Sequence, residues 1–317
     1  MKKLEENGKS AYLVSDRLNR KYLTGIDVED GLVVLSDEKV FFADARYFYG
    51  VESKLKSNGV KVKLFEDNTS LKNYLTDKKI EKLFIDFNTE TVKSYNEYKS
   101  FDIEVLDASE EFESLRAVKT ESEINDVKTS CSICQKVFYK ALEYVKLGVT
   151  ERFIKDKIES LFIEYGASGK AFDTIVAFGK NSAIPHHQTS DTKLCKDTAV
   201  LIDMGCIYNG YASDMTRTVY FGCPTDEFIH CYDKVKNANE IAIENITDGT
   251  YTDEADGFAR NYLSNFGLDK YFTHSLGHGI GLQIHEYPYL SPKKHQKITN
   301  KMVFSIEPGI YKVNHFG

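Results

Sequence analysis

Histidine and proline are absent from the first 184 residues of this 317-residue chain. All eight histidines and all five prolines lie beyond that point, so the two halves of the chain differ in composition. The length leaves room for about two domains of roughly 150 residues, each large enough to bury its own core. The compositional difference therefore predicts two domains.

Long apolar runs and an excess of basic charge are also missing. No stretch reaches the roughly 18 uninterrupted apolar residues that a membrane-spanning helix needs. The opening segment MKKLEENGKSAYLVSD has two lysines without the apolar stretch of a signal peptide behind them. The formal net charge of −7 argues against binding to a phosphate backbone. These features predict a soluble, cytoplasmic protein that binds neither membranes nor nucleic acid.

Cysteine is scarce as well. Six cysteines in a chain of this length are too few for a disulfide scaffold. Cys131 and Cys134 form a C-x-x-C inside a helical pattern, and no second C-x-x-C completes a four-cysteine zinc site. We interpret both as reduced core cysteines.

Residues 1–115 alternate short apolar runs with charged helical segments. The runs at 31–35, 39–43 and 82–86 are typical of strands, and the segment 70–80 is typical of a helix. This pattern predicts a small α/β domain. The domain contains no glycine-rich phosphate loop and no candidate nucleophile, which favours a structural or oligomerisation role.

Residues 116–317 show a different pattern, in which helices and hairpin strands follow one another in separate runs. Thr120 and Glu123 form a capping-box signature before a long amphipathic helix, and Thr150, Thr225 and Thr252 are predicted to cap three more. Strands are expected at 171–178, 198–206, 211–221 and 302–307. The pattern predicts an α+β domain.

A hairpin in this second domain brings two acids together. Asn209-Gly210 is a strong type I′ turn signal, which pairs Tyr208 with Tyr211. Continuing that register places Asp203 opposite Thr216 and Asp214 opposite Gly205. The two aspartates then share one face of the hairpin at roughly 7–8 Å. Carboxylates this close repel unless a proton or a cation lies between them, so an acid dyad and a metal site both remain open.

Further metal-ligating side chains occur near the end of the chain. His278 lies between two glycines, and Glu307 precedes Pro308 at the end of an apolar run. A single histidine or strand-end glutamate is more often an ordinary polar residue. Their joint occurrence with the acid pair is what points to a metal site.

The combined motifs resemble a known enzyme family. They are FDTIVAFG, PHH, LIDMG, GYASDMTRTV, HSLGHGIGLQIHE and MVFSIEPGIY, with weaker matches at YLTG and DARY. Together they resemble the pita-bread metallopeptidases of family M24, in particular the Xaa-Pro dipeptidases (prolidases) and Xaa-Pro aminopeptidases. The resemblance implies a creatinase/prolidase-like domain over 1–115, followed by a pita-bread catalytic domain over 116–317.

The resemblance also implies a set of site residues. Four would bind two divalent metal ions: Asp203, Asp214 as the bridging ligand, His278, and Glu307, which would also position the attacking water. Three histidines would hold the substrate and stabilise the tetrahedral centre or the leaving nitrogen: His186, His274 and His285. A donor set of carboxylates and imidazole favours Mn²⁺, with Co²⁺, Zn²⁺ and Fe²⁺ as alternatives.

The implied reaction is hydrolysis of short peptides that carry proline at the second position. Two ions would share a hydroxide as the nucleophile. Proline has no N–H and a fixed φ, so a peptidase that grips an extended backbone handles it poorly. The resemblance further implies a homodimer. It leaves open whether the enzyme is a dipeptidase or an aminopeptidase.

The chain departs from the family at its end. The family has a fifth ligand, a glutamate in an R-x-E stretch beyond EPGIY, and the sequence stops at Gly317 before such a stretch. We expect a C-terminally incomplete domain, weak binding of the second metal, and a chain that is inactive or weakly active by itself.

Three alternatives belong to the same fold. Methionine aminopeptidase resembles only the second domain. Creatinase lacks the full metal set that Asp203, Asp214, His278 and Glu307 supply. A catalytically inactive pita-bread domain used for binding is disfavoured by the four ligand positions that are intact.

Overall fold

The computed structural model describes residues 8–317, so the N-terminal lysines and the first seven residues of the predicted 1–115 domain lie outside the described residues. Contacts divide the chain into two compact units, one ending at Arg116 and the other running Ala117–Gly317. Within residues 8–317, no helix combines the length and the apolar character needed to cross a membrane.

The first unit is built on a mixed six-stranded sheet in the order β4-β3-β2-β1-β5-β6. β2 pairs antiparallel with both β1 and β3. The parallel pairs are β3 with β4, β1 with β5, and β5 with β6. The strands are β1 Ser10–Val14, β2 Leu32–Leu35, β3 Lys39–Asp44, β4 Lys61–Phe65, β5 Lys82–Ile85 and β6 Glu104–Asp107. The helices are α1 Arg17–Thr24, α2 Ala45–Ser57, α3 Asn68–Asp77, α4 Val92–Lys99 and α5 Ser109–Ser114.

Both faces of this sheet are buried. Alternate residues of a strand point to opposite faces, and in β1 Leu13 packs in the cluster that includes Leu71 of α3, while Tyr12 packs in the cluster that includes Leu55 of α2. A sheet with helices on both faces is the α/β arrangement that the sequence predicts for this region.

The second unit combines four helices with three small sheets. The helices are α6 Glu121–Leu142, α7 Glu151–Glu164, α8 Asp226–Asn245 and α9 Thr252–Ser264. The strands are β7 Gly169–Lys170, β8 Ile175–Phe178, β9 Thr198–Met204, β10 Cys206–Tyr208, β11 Tyr211–Ala212, β12 Met215–Phe221, β13 Gly277–Gly279 and β14 Glu286–Leu290. The sheets have the orders β12-β9-β8, β11-β10-β7 and β13-β14.

Three of the four predicted helix caps are confirmed. Thr120 and Glu123 form the capping box of α6, and Thr150 and Thr225 cap α7 and α8. The prediction for Thr252 is wrong, because the N-cap of α9 is Tyr251. The Thr252 hydroxyl instead donates to the carbonyl of Lys294 at 2.6 Å.

The predicted hairpin register is confirmed on both sides of a short interruption. Tyr208 pairs with Tyr211, and farther along Asp203 pairs with Thr216. The expected strand 198–206 is interrupted at Gly205, which separates β9 from β10, and 211–221 is interrupted at 213–214. No residue is inserted at the break, so both aspartates keep their predicted places.

The predicted strand 302–307 is not a continuous strand. Met302 and Phe304 form isolated bridges, and the N–H groups of Ser305 and Glu307 donate to the carbonyls of His278 and Leu276. The partner, β13, is only three residues long, which limits the pairing. The hydrogen bonds still hold Glu307 beside the histidine segment.

Two apolar clusters form the core of the second unit. One packs α6 and α7 against β8 and β9, and the other surrounds α8 and α9. Cys134 lies in the first cluster as predicted, whereas Cys131 is exposed, so its prediction as a core residue is wrong.

Candidate metal centre

The hairpin of β9 and β12 carries the two aspartates of the centre. Asp203 is the penultimate residue of β9, and its Oδ1 accepts a hydrogen bond from the Thr216 hydroxyl at 2.9 Å. Asp214 lies at the interruption, directly before β12. A Cβ on Gly205 would lie 2.1 Å from the carbonyl oxygen of Ser213. Only glycine lets the two backbone segments of the hairpin approach this closely beside Asp214.

His278 and Glu307 complete a compact group with Asp214. The His278 Nε2 lies 3.4 Å from the Asp214 Oδ2 and 3.1 Å from the Glu307 Oε1. One ligand atom from each of the three residues lies within 4.8 Å of the others. The His278 Nδ1 donates to the carbonyl of Gly279 at 3.2 Å, because a carbonyl can only accept. This bond directs Nε2 toward the acids.

Ser305 connects the two segments that meet here. Its hydroxyl donates to the Glu307 Oε1 at 2.7 Å and accepts from the backbone N–H of His278 at 3.1 Å. Ser305 was not predicted as a site residue. Its position two residues before Glu307 is the only sequence signal, since alternate residues of an extended segment point the same way.

The aspartates are held in an environment that opposes their ionisation. Burial raises the pKa of Asp203 to about 6, although the Thr216 hydrogen bond works in the opposite direction. Burial, followed by the charges of Asp203 and Glu307, raises the pKa of Asp214 to about 7. Both groups gain a proton more readily than an ordinary aspartate, which is the response of buried like charges that lie close together.

His278 and Glu307 shift each other's pKa. Burial alone would lower the pKa of His278, but its hydrogen bond to Glu307 and the Glu307 charge outweigh burial and raise it. Burial alone would raise the pKa of Glu307, but the same contact outweighs it and lowers the pKa. Two carboxylates, those of Asp214 and Glu307, thus converge with one imidazole nitrogen within 4.8 Å, and the charge of Asp203 acts on Asp214. This donor set fits hard or borderline divalent cations.

The three other predicted site histidines lie in different settings. The His285 ring lies edge-on to His278, with 4.3 Å between ring centroids. Burial and the His278 charge lower the pKa of His285, which favours its neutral form. His186 is exposed, and its charge acts on both Asp203 and His285.

His274 is held through both ring nitrogens. Its Nδ1 donates to the carbonyl of Ser275 at 2.8 Å, and its Nε2 lies 2.9 Å from the Tyr311 hydroxyl. Since Nδ1 carries the proton in the neutral ring, Nε2 accepts from Tyr311. Burial raises the pKa of Tyr311 and keeps its hydroxyl protonated. Tyr311 was not predicted as a site residue, although it is the last residue of the EPGIY motif.

Two family models match the chain. The model of metallopeptidase family M24 matches residues 125–317, more than half of the chain, and the model of the creatinase/prolidase N-terminal domain matches residues 1–118. The chain belongs to metallopeptidase family M24. It is therefore a member of a family of metal-dependent peptidases, and the predicted resemblance is confirmed.

Several similar proteins are named as Xaa-Pro dipeptidases or X-Pro aminopeptidases. An Xaa-Pro dipeptidase from Pyrococcus furiosus is 33% identical over 316 residues, which are 98% of this chain and 89% of that protein. Among solved structures, an Xaa-Pro dipeptidase from Bacillus anthracis has a TM-score of 0.91 at 31% identity and covers 96% of this chain and 87% of that chain. An X-Pro aminopeptidase from Thermotoga maritima has a TM-score of 0.86 at 30% identity and covers 98% and 90%.

These comparisons also confirm the predicted fold. A mixed α/β N-terminal unit followed by an M24 pita-bread domain matches the solved prolidase structures. The similarity extends along nearly the whole chain. It therefore includes both units and not only the one that carries the acidic centre.

Proposed function

We propose that this M24 protein is an exopeptidase that hydrolyses the peptide bond preceding proline in short peptides. The observation that carries the proposal is the convergence of Asp214, His278 and Glu307 within 4.8 Å. The names of the dipeptidase and aminopeptidase relatives support the choice of substrate. A dipeptidase and an aminopeptidase remain equal candidates, since both kinds of relative match.

We propose that four residues hold two divalent ions: Asp203, Asp214 as the bridging ligand, His278 and Glu307. The absence of thiolate ligands favours Mn²⁺, with Co²⁺, Zn²⁺ and Fe²⁺ as alternatives. Such ions, when bound, supply a water of lowered pKa and polarise the scissile carbonyl.

The remaining chemistry falls to side chains of the chain. Glu307, whose pKa is lowered and which accepts from Ser305, is in the form that orients a water and accepts its proton. His285, whose pKa is lowered, is suited to exchange a proton with the tetrahedral centre or the leaving proline nitrogen. We assign His274 to the same developing charge and His186 to holding the substrate.

The dimer rests on the family resemblance alone, and the compartment rests on the composition of the sequence. We propose a cytoplasmic homodimer. Light scattering coupled to size-exclusion chromatography tests the dimer, and a mass of 36.1 kDa in solution, the mass of one chain, would exclude it.

The decisive experiment uses metal-free protein with and without added Mn²⁺. Substrates are Ala-Pro, a longer Ala-Pro peptide, and Ala-Ala as the control without proline. We expect Mn²⁺-dependent cleavage confined to the proline peptides, and the ratio of the two rates separates dipeptidase from aminopeptidase. Calorimetric titration with Mn²⁺ counts the bound ions, and we expect two. Cleavage that is indifferent to a chelator would exclude the metal mechanism.

A further inference from the structure

Charged side chains are rarely buried, because burial costs free energy unless each charge finds a partner. In the fully described second unit, four charged side chains are buried: Lys119, Glu151, Asp256 and Glu286. Their hydrogen-bond partners lie largely in segments that carry the non-ligand histidines of the site.

Glu151 is the first residue of α7 and is completely buried. Its carboxylate accepts five hydrogen bonds, all from the segment 178–190: the N–H of Phe178 at 2.8 Å, the Asn181 Nδ2 at 2.8 Å, the His187 Nε2 at 2.9 Å, and the Ser190 N–H and hydroxyl at 2.9 and 2.7 Å. His186 lies within this segment. One carboxylate therefore fixes the backbone on both sides of His186.

Asp256 holds a second segment together with Arg260, one turn farther along α9. The two side chains form a bidentate ion pair, with 2.7 Å from Nε to Oδ2 and 3.0 Å from Nη2 to Oδ1. Arg260 donates to the carbonyls of Phe272 and His274, each at 2.9 Å. Asp256 accepts from the N–H of Leu276 at 3.0 Å. The backbone of His274 is thus fixed on both sides.

Glu286 holds the third segment, next to His285. Its Oε1 accepts from the Lys119 Nζ at 2.8 Å, and the side chains are 4% and 1% exposed. A Cβ at Gly281 would lie 2.2 Å from the same Oε1, so the loop 281–286 closes on this carboxylate. The position of His285 follows from that closure.

We propose that these three carboxylates are positioning residues, each of which fixes the backbone of one non-ligand histidine. The pairs are Glu151 with His186, Asp256 with His274, and Glu286 with His285. The inference rests on the proposed function, which assigns the histidines to substrate and to developing charge. Each carboxylate accepts hydrogen bonds from groups of the protein and acts through its histidine.

The proposal predicts different kinetic effects. His186 holds the substrate, so loss of Glu151 raises KM. His274 and His285 act on charge that develops during the reaction, so loss of Asp256 or Glu286 lowers kcat.

Double-mutant cycles test the pairing. The isosteric variants Glu151→Gln, Asp256→Asn and Glu286→Gln are each combined with His186→Ala, His274→Ala and His285→Ala. We expect each amide variant to lower kcat/KM about tenfold in the wild-type background, because residues in one network couple strongly. The loss should shrink below about twofold beside its own histidine variant and stay about tenfold beside the other two. A purely structural role gives equal losses in every background and overturns the proposal.

Two further measurements keep the test independent of activity and of folding. Imidazole NMR signals of ¹⁵N-histidine-labelled protein should change for His186 in Glu151→Gln and remain unchanged for His274. Mn²⁺ affinity should stay within about twofold of wild type, since no ligand changes. If Glu151→Gln does not fold, His187→Ala and Ser190→Ala each remove fewer donors and should show the same selective coupling to His186.

The outcomes separate the two proposals. A wild-type protein that neither binds Mn²⁺ nor cleaves any proline peptide contradicts the proposed function, and the NMR comparison then decides the positioning role. An active wild type with additive cycles and unselective NMR changes contradicts the positioning role and leaves the function intact.

Discussion

Two sets of buried carboxylates in the same unit behave in opposite ways. Asp203 and Asp214 face further acidic groups, and burial raises their pKa to about 6 and about 7. The Glu151 side chain is inaccessible to solvent, yet the hydrogen bonds from Asn181, His187 and Ser190 outweigh burial and lower its pKa. The difference lies in what faces each carboxylate. Hydrogen-bond donors face Glu151 and stabilise its ionised form. Like charges face Asp203 and Asp214, so a cation would stabilise their ionised forms.

The largest expected effect comes from removing a carboxylate of the centre. Asp214→Asn should lower kcat/KM with Mn²⁺ about a thousandfold, because it removes the proposed bridging ligand. The metal-free variant should nevertheless unfold at a higher temperature, since the repulsion with Asp203 is gone. Kinetics, calorimetric metal titration and thermal unfolding of one preparation check both effects. Asp226→Asn, at an exposed position in the first turn of α8, is the control and should match wild type.

Removing a satisfied carboxylate should reverse the sign of the stability change. Glu151→Ala leaves five donors of the segment 178–190 without their acceptor and should lower the free energy of unfolding by about 3 kcal/mol. Urea unfolding measures the loss. Glu164→Ala, in the exposed last turn of the same helix, should change stability by less than about 0.5 kcal/mol. Equal effects from the two variants would contradict the role of Glu151.

A third variant tests the close approach beside Asp214. In Gly205→Ala the new methyl meets a backbone carbonyl that cannot move cheaply, so stability should fall by about 2 kcal/mol and Mn²⁺ affinity should fall with it. Gly257→Ala is the matched change inside α9, where the nearest atom lies 3.5 Å from the new Cβ. There alanine should raise stability by about 0.5–1 kcal/mol. Urea unfolding and metal titration separate the two outcomes.

The smallest effect is a pH dependence of the metal-free protein. Because the pKa values of Asp203 and Asp214 are raised above the ordinary aspartate value of 3.8, the folded state binds more protons than the unfolded state at intermediate pH. Their contribution is fully present below about pH 4 and is lost as the pH rises through about 6 to 7. Urea unfolding with a chelator at pH 5 and pH 8 should show this decline, and an Asp203→Asn/Asp214→Asn variant should flatten it. Greater stability at pH 8 than at pH 5 would contradict the proposed acid pair.

Local sequence signals predicted the part of the centre that local structure creates. The Asn209-Gly210 turn was enough to place Asp203 opposite Thr216, because a two-residue turn fixes the register of both strands. Helix caps were recovered for the same reason. Thr252 failed because its hydroxyl bonds to the distant Lys294, and such a tertiary contact overrides a local cap preference.

The positioning residues Glu151, Asp256 and Glu286 could not be predicted in the same way. All five donors to Glu151 are side-chain or backbone groups more than 25 residues away along the chain. Backbone N–H groups exist at every residue except proline, so they leave no pattern in a sequence. Asp256 and Arg260 do carry a weak signal, the i,i+4 spacing of opposite charges on a helix. That spacing is usual for solvent-exposed pairs and did not reveal the buried ion pair.

Some ligands of the centre are close to one another in sequence and others are far apart, and this spacing affects the order in which the centre forms during folding. The two aspartates meet as soon as one short hairpin closes, whereas His278 and Glu307 must arrive from the far end of the unit. Closing long loops costs more entropy and is slower than forming a hairpin. Affinity for a divalent ion should therefore appear late during refolding, after most secondary structure, so that the onset of metal binding reports completion of the second unit.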